Sequence, residues 1–154
     1  MEIVLHRPDV AVALEGPLAV SSLAAQLTIE SVDAMIGATT AHRARYADGS
    51  SISVTLVKPN VAVPDDATRA HIRRTNARRD VARTSYVVID APGFWAATMR
   101  GVVAGMSLVS AQAPRGAASI REVLRQVEAR LEGRDIDTLE RDILAFRARH
   151  VRLA

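Results

Sequence analysis

The sequence contains no cysteine and few aromatic residues. The absence of thiols excludes zinc sites built on cysteine, thiol nucleophiles and redox switches. One Trp, two Tyr and two Phe provide little material for a binding site made of stacked rings. Lysine is nearly absent as well, because Lys58 is the single lysine among the 20 basic residues. These absences exclude several common kinds of site and leave the fold open.

The rest of the composition is that of one ordinary folded domain. The chain has 154 residues, 49% of them hydrophobic and 24% charged, which is enough to bury a core without a metal or a disulfide. The net charge is only +3, and the pI of about 10.1 follows from the high pKa of guanidinium groups, because almost every basic residue is arginine. The pI alone therefore does not predict nucleic-acid binding, which depends on how the charge is distributed.

The sequence contains no motif of a known catalytic or metal site. The four histidines lie in four different predicted elements, no serine occurs in Gly-x-Ser-x-Gly, and no glycine-rich loop is present that would hold a phosphate. We therefore expect a protein without enzymatic activity, without a cofactor and without a bound metal ion.

No segment of the sequence has the pattern of a targeting signal or a membrane span. Residues 1–7 lack the basic start and the long apolar run of a secretory signal. Residues 91–114 contain Arg100 as their single charge, but proline and glycine interrupt them, and we interpret them as a buried helix followed by a strand. A cytoplasmic protein without a membrane span is the resulting expectation.

Two patterns in the first half of the chain predict strands. The apolar runs 3–5 and 10–14 flank the turn residues 7–9, and this arrangement predicts a hairpin. In residues 52–57, apolar side chains alternate with serine and threonine, which is typical of a strand with one buried face.

The region between these strands is predicted to hold the first helix. Either Ser21 or Ser22 is a suitable N-terminal cap, and Gly37 is a suitable C-terminal stop. Residues 38–50 contain several loop signals, whereas residues 41–46 are compatible with a continued helix or a strand, and the segment is predicted to be irregular.

The second half of the chain is predicted to alternate helices with strands. Acidic residues at the start of segment 66–82 and arginines at its end match the helix dipole, and Asp137 with Glu140 is interpreted as the cap of the last helix. The predicted elements are helix 66–82, strand 86–89, helix 94–106, strand 108–109, helix 119–132 capped by Ser119, and a last helix bearing Leu139, Ile143 and Phe146. Such alternation predicts an α/β fold with a mostly parallel sheet.

The order of these elements and the residues Val12-Ala13-Leu14-Glu15-Gly16-Pro17-Leu18 resemble the STAS domain, the fold shared by anti-sigma-factor antagonists and the cytoplasmic tails of sulfate transporters. The resemblance covers residues 3–132. It implies a STAS-like α/β domain over residues 1–133, with helices packed on a mixed, mostly parallel sheet, and a C-terminal helical extension over residues 134–154. For function it implies a non-enzymatic regulatory or scaffolding adaptor in bacterial-type signal transduction that binds another protein.

The resemblance does not extend to the phosphorylation loop of that family. Phosphorylated members carry an Asp-Ser-Ser-Gly motif at the N-terminus of the helix after the third strand, where helix amides favour a phosphate. The matching stretch here is Val63-Pro64-Asp65-Asp66-Ala67-Thr68, in which Thr68 is the only hydroxyl and two carboxylates would repel a phosphate. The resemblance therefore implies binding without a kinase-controlled switch.

Arginines are concentrated in and just after the predicted helix 66–82. One interpretation is a solvated helix face, and the other is a site for an anionic partner. An acidic protein surface is favoured over nucleic acid, because no aromatic side chain on this helix offers a stacking platform. Trp95 at the head of the next helix is interpreted either as core or as an exposed anchor. The candidate partner-binding residues are Asp65, Asp66, Thr68, Arg69, Arg73, Arg74, Arg78 and Trp95.

Two further alternatives stay open at the level of sequence. The apolar stripe of the last helix either caps the domain or pairs with its copy in a homodimer. The domain as a whole is alternatively a carrier of a small molecule or a lipid, which predicts an apolar pocket beneath the first and third helices.

Overall fold

The computed structural model describes residues 1–46, 49–77, 84–109 and 114–153. A six-stranded mixed sheet lies at its centre, with the strands side by side in sequence order. The strands are β1 (Glu2–His6), β2 (Val10–Glu15), β3 (Leu18–Leu23), β4 (Ile52–Val57), β5 (Thr84–Val88) and β6 (Arg115–Ala117). The helices of the described residues are α1 (Ile29–Arg45), α2 (Asp66–Ala77), α3 (Phe94–Val109), α4 (Ile120–Gln126), a 3-10 turn (Glu128–Arg130) and α5 (Ile136–Leu153). The predicted α/β class is confirmed.

The first three strands form an antiparallel meander. The predicted hairpin is confirmed, since β1 pairs with β2 across the turn at residues 7–9. A second tight turn contains Gly16, whose φ of 53° is a left-handed conformation that favours glycine, and returns the chain as β3. From β3 onward the neighbouring strands are parallel, with helices as the connections.

The prediction that a helix begins at Ser21 or Ser22 is wrong. Both residues lie in β3, where they are only 3% and 1% exposed. The helix begins after Thr28, whose hydroxyl oxygen accepts a hydrogen bond from the backbone N–H of Ser31 at 3.2 Å. Pairing with strands on both sides satisfies the backbone groups of β3, and this tertiary context overrides the local preference of serine for a helix cap.

The prediction that residues 38–50 are irregular is wrong for their first part, because α1 continues to Arg45. The threonines that suggested a loop donate hydrogen bonds back to carbonyls one turn earlier, Thr39 to Met35 at 2.9 Å and Thr40 to Ile36 at 2.8 Å. Such back-bonding places a hydroxyl inside a helix without breaking it.

The parallel half of the sheet follows the predicted order of elements. The strand over residues 52–57 is confirmed, and α2 confirms the first part of the predicted helix 66–82, whose last residues lie outside the described ones. The predicted strand at 108–109 is wrong, since these residues belong to α3 and the edge strand is β6. A run of two apolar residues carries no periodicity that separates a strand from the end of a helix.

One face of the sheet packs against α4, the 3-10 turn and α5 to form the main core. Its buried residues include Leu18, Val20, Ile52, Val54, Leu56, Tyr86, Val88, Val123, Leu124 and Leu131. The stripe Leu139, Ile143 and Phe146 of α5 joins them and is 4%, 0% and 3% exposed. Of the two alternatives for this stripe, the structure shows the one in which it caps the domain.

The helices on this face begin at well-defined caps. Ser119 is confirmed as the cap of α4, and its hydroxyl oxygen accepts the backbone N–H of Glu122 at 3.2 Å. The predicted cap of α5 is wrong, because Asp135 accepts the N–H of Thr138 at 2.8 Å. The two acidic residues expected there, Asp137 and Glu140, instead form ion pairs with Arg121. Within the described ranges, no helix combines the length and the apolar character that a membrane crossing requires.

Candidate functional site

A cavity of about 220 Å³ lies between the sheet and helices α1, α2 and α3. Its floor belongs to the face of β3, β4 and β5 opposite the main core, and its roof is formed by side chains of the three helices. This position matches the pocket beneath the first and third helices that the carrier interpretation predicted.

Small hydroxyl side chains form much of the cavity floor. In β4, the side chains of Ser53 and Thr55 point to the cavity, while the apolar residues between them point to the main core. The parallel register places Ser53 beside Ser85, and Ser21 beside Thr55. Four hydroxyl groups therefore occupy two neighbouring rows on one face of the sheet.

The hydroxyl of Ser85 is buried and has no hydrogen-bond partner among the described residues. The residue is 8% exposed and lines the cavity. Leaving a buried polar group unsatisfied costs on the order of 1–3 kcal/mol, so such groups are rare in protein interiors. The Ser85 hydroxyl therefore lies beneath the cavity floor as an unsatisfied polar group.

The roof of the cavity is apolar. Its helical side chains are Val32, Met35 and Ile36 of α1, Ile72 of α2, and Met99, Val102 and Val103 of α3, together with Thr39 and Thr75. The two threonines donate their hydroxyls to carbonyls of their own helices, Thr39 to Met35 and Thr75 to His71, both at 2.9 Å. The two roof threonines have therefore already donated their hydroxyl hydrogens and can only accept from a bound molecule.

Two side chains hold the connection between β4 and α2 against one end of the cavity. The indole Nε1 of Trp95 donates a hydrogen bond to the carbonyl of Val61 at 3.0 Å, and the amide of Gln26 donates to the carbonyl of Val63 at 2.8 Å. Val61 itself lines the cavity. This end is where the parallel strands β4 and β5 finish.

One turn beyond the cavity-lining side chains of α1 lies Arg43, which does not itself line the cavity. Val32, Ile36 and Thr39 line the cavity, and Arg43 follows them at the helical spacing of i, i+4, i+7 and i+11. Its guanidinium is half-buried, and the Nη2 atom is fully buried with no hydrogen-bond partner among the described residues. Burial lowers the pKa of this guanidinium, because desolvation disfavours the charged form.

The predicted site residues at the start of α2 form a helix cap. Asp65 accepts the backbone N–H of Thr68 at 2.7 Å, and the hydrogen bonds from Thr68 hold the pKa of Asp65 below its usual value. Thr68 is 3% exposed, so its hydroxyl is not at the surface. Arg69 pairs with Asp66 and donates to the carbonyl of Pro64 at 2.6 Å. These groups satisfy one another within the first turn of α2.

The other predicted site residues are not gathered with this cap. Arg73 and Arg74 are exposed on α2, and neither forms an ion pair within the part of the chain that the structure describes. Trp95 is partly buried and packs inward, whereas its neighbour Phe94 is 89% exposed. Arg78 lies outside the described residues.

A serine and a histidine are hydrogen-bonded on the other side of the sheet. The Oγ atom of Ser22 lies 3.0 Å from Nδ1 of His150, and Nε2 of His150 lies 2.8 Å from the carbonyl oxygen of Arg7. A carbonyl only accepts, so Nε2 of His150 carries a hydrogen. Both residues are 1% exposed, which places this pair in the core and out of reach of a substrate.

The cavity residues that the sequence did not identify are the floor hydroxyls, Ser85 among them. The alternation in residues 52–57 was a usable signal, because it showed that serine and threonine share one face of a strand. Among the described residues, no three His, Cys, Asp or Glu side chains are placed to hold a metal ion. Comparison with protein-family models, curated proteins and solved structures finds no match to this chain.

Proposed function

We propose that this chain binds a small, largely apolar molecule in the cavity between the sheet and helices α1, α2 and α3. The observation that carries the proposal is the 220 Å³ cavity itself, with its apolar roof and its four floor hydroxyls. Protein interiors are close-packed, and voids larger than a water molecule are few. A mainly apolar cavity with a few polar groups on one side is the common form of a small-molecule site.

The size of the cavity limits the ligand. An apolar cavity of about 150 Å³ holds one benzene molecule, so the cavity here holds roughly nine non-hydrogen atoms. This matches a short aliphatic chain or a single substituted ring. The two acyl chains of a membrane lipid do not fit within this volume, so the proposal concerns small molecules.

The test uses 1-hexanol as a neutral probe and compares two substitutions on α3. Val102→Phe enlarges a side chain in the roof, and Ala97→Phe places the same ring on the exposed side of the helix as a matched control. We expect the wild type and Ala97→Phe to bind 1-hexanol saturably at about millimolar concentration or below. Val102→Phe is expected to bind it at least tenfold more weakly.

Titration by two-dimensional NMR measures the affinity and also checks that each variant is folded. The expected shift changes in the wild type lie in residues of the cavity floor and roof. Failure of 1-hexanol to bind, or equal binding by Val102→Phe, would contradict the proposed function.

The exposed side chain of Phe94 favours a second candidate function, that of an adaptor for another protein. Phe94 is 89% exposed at the start of α3. The helix α2, which carries exposed Arg73 and Arg74, starts at the same edge of the sheet, because both helices follow parallel strands. An exposed aromatic side chain on one helix and exposed arginines on another suit a protein partner with an acidic surface.

The adaptor function is tested by Phe94→Ser and by Arg73→Glu combined with Arg74→Glu. The control is Leu144→Ser, which removes an apolar side chain that is 40% exposed on α5. We expect a partner protein captured by the wild type and by the control to be lost from both test variants. Equal capture by all four proteins would count against this surface.

We also propose that the fold is of the STAS type. The order β4, α2, β5, α3, β6 and α4 supports this, since it is the order that the resemblance in the sequence implies. The meander of β1, β2 and β3 ahead of these elements includes one strand more than expected.

A further inference from the structure

We propose that the ligand of the cavity is an uncharged molecule with one oxygen atom, such as an alcohol or a ketone, and that this oxygen lies between the hydroxyls of Ser21 and Thr55. This inference rests on the proposed function and specifies the chemistry and the orientation of the ligand. The apolar part of the molecule lies toward the ends of β3 and β4, against Leu23 and Val57.

The first observation is that Thr55 is partly exposed although it lies in the middle of the sheet. It belongs to β4, which has β3 on one side and β5 on the other. Its neighbours Val54 and Leu56 point to the main core and are 0% and 1% exposed, whereas Thr55 lines the cavity on the opposite face. Because strands flank Thr55 on both sides, its exposed surface faces the cavity.

The second observation is a pair of neighbouring hydroxyls that the fold does not use. The parallel register places Ser21 beside Thr55. Ser21 is 3% exposed and lines the cavity, and neither hydroxyl is hydrogen-bonded to another described residue. Adjacent strands lie about 4.8 Å apart, so one oxygen between the two side chains can come within about 2.8 Å of both hydroxyls. Buried hydroxyls are normally paired, and a ligand oxygen at this position would pair both.

The third observation is that the cavity floor changes from polar to apolar along the strands. After Ser21 and Thr55, the next pair on the same face is Leu23 and Val57, which are 5% and 4% exposed and line the cavity. Val61, in the connection after β4, continues this apolar end. A molecule with an oxygen at one end and a hydrocarbon chain at the other matches this order.

The fourth observation concerns charge. None of the described residues that line the cavity is charged. A carboxylate or an ammonium group would lose its water there without gaining a counter-charge, whereas an uncharged oxygen needs only a hydrogen bond. Thr39 and Thr75 in the roof have already donated their hydroxyl hydrogens, so among the described residues the donors open to a ligand oxygen lie on the floor.

The experiment measures the binding of four probes that share one six-carbon chain: 1-hexanol, 1-chlorohexane, hexanoate and hexylammonium. We expect the wild type to bind 1-hexanol at least tenfold more tightly than either ion. In Thr55→Val and in Ser21→Ala, 1-hexanol is expected to lose about three- to tenfold in affinity, because each variant removes one hydrogen bond. The chloride of 1-chlorohexane replaces the hydroxyl, so this probe should bind both variants at least as tightly as the wild type.

Matched substitutions elsewhere serve as controls. Ser53→Ala removes a floor hydroxyl two residues before Thr55, Thr39→Val changes the roof, and Thr40→Val changes an exposed threonine of α1. All three should bind 1-hexanol within about twofold of the wild type, because none removes a hydrogen bond to its oxygen. A thermal melt of each variant keeps folding separate from binding.

The orientation is measured by intermolecular NOEs in the complex of the wild type with 1-hexanol. The terminal methyl group of the probe is expected to show NOEs to the methyl groups of Leu23 and Val57. The CH2 group next to the hydroxyl is expected to show an NOE to the methyl group of Thr55. NOEs in the reverse order would overturn the proposed orientation.

The possible outcomes separate this inference from the proposed function. If 1-hexanol binds but Thr55→Val and Ser21→Ala leave its affinity unchanged, the position of the oxygen is wrong and the proposed function stands. A loss of affinity in Thr39→Val alone would place the oxygen at the roof and would overturn the inference in the same way. If either ion binds as tightly as 1-hexanol, the uncharged class of ligand is wrong. If 1-hexanol does not bind, both proposals fail.

Discussion

The indole Nε1 of Trp95 donates a hydrogen bond to the carbonyl oxygen of Val61 at 3.0 Å. This contact joins the start of α3 to the connection between β4 and α2, at one end of the cavity. Trp95 also packs against both apolar clusters on the cavity side of the sheet. As the only tryptophan in the chain, it is a natural reporter of events in the cavity.

Replacement of Trp95 by phenylalanine removes this hydrogen bond and leaves the carbonyl of Val61 without its donor. We expect Trp95→Phe to lower the free energy of unfolding by about 1–3 kcal/mol, measured by urea denaturation. Phe94→Leu is the control, and because Phe94 is 89% exposed its replacement should change stability by less than about 0.5 kcal/mol. Equal stability of Trp95→Phe and the wild type would show that this contact does not hold the two segments together.

Two glycines are expected to respond oppositely to alanine. Gly16 has φ of 53°, and a Cβ atom added there would lie 2.6 Å from the guanidinium carbon of Arg134, whereas an added Cβ at Gly37 in α1 meets nothing within 4 Å. Gly16→Ala should therefore destabilise the protein by about 1–2 kcal/mol, and Gly37→Ala should stabilise it by about 0.5–1 kcal/mol. The sign of each change is read from urea denaturation, and a destabilising Gly37→Ala would contradict the helical conformation at that position.

The core role of α5 is tested by truncating single side chains. Ile143 is 0% exposed, so Ile143→Ala should lower the free energy of unfolding by about 2–5 kcal/mol. Its neighbour Leu144 is 40% exposed, and Leu144→Ala should cost less than about 1 kcal/mol. If both variants were as stable as the wild type, α5 would be an extension that the domain does not need.

The stability contributed by Asp65 is expected to depend on pH. Backbone and side-chain hydrogen bonds from Thr68 lower the pKa of Asp65 in the folded protein. The stability that the charged form of Asp65 contributes is therefore present at neutral pH. It is lost as the pH falls through the lowered pKa, which is below the ordinary carboxylate range. Asp65→Asn keeps a capping side chain that does not titrate, and Asp65→Ala removes the cap.

Thermal melting at several pH values distinguishes these variants. Asp65→Ala should melt below the wild type at neutral pH, and this difference should shrink in acid. The melting temperature of Asp65→Asn should also rise relative to that of the wild type as the pH falls. Differences that do not change with pH would show that the hydrogen bonds of Thr68 do not favour the charged form of Asp65.

The elements with a clear local period could be predicted from the sequence. The alternation over residues 52–57 and the spacing of apolar residues after Phe94 identify β4 and α3, since each period is set within a few consecutive residues. The third strand was missed because Ser21 and Ser22 favour a helix cap when they are considered alone. Only their pairing with β2 and β4, which are distant in sequence from one another, makes them part of a strand.

The candidate site was predictable only in outline. The sequence showed that serine and threonine share one face of β4. A strand face that is exposed to solvent and one that lines a cavity have the same alternating pattern, so the sequence did not distinguish them. The arginines of α2 stood out because they are dense in sequence, yet Arg69 is already paired with Asp66. Arg43 did not stand out, because its burial depends on elements that surround the end of α1.

The α/β class, the absence of thiol chemistry and the residues that share a face of the elements with a clear period, such as β4 and α3, follow from the sequence alone. The tertiary structure decided which face of the sheet became the main core and which became the floor of a cavity. It also decided that the Ser85 Oγ and Arg43 Nη2 atoms are buried without hydrogen-bond partners among the described residues. The physical reason is that local periodicity determines which side chains share a face of a strand. Which helices pack on that face depends on segments that are distant in the sequence.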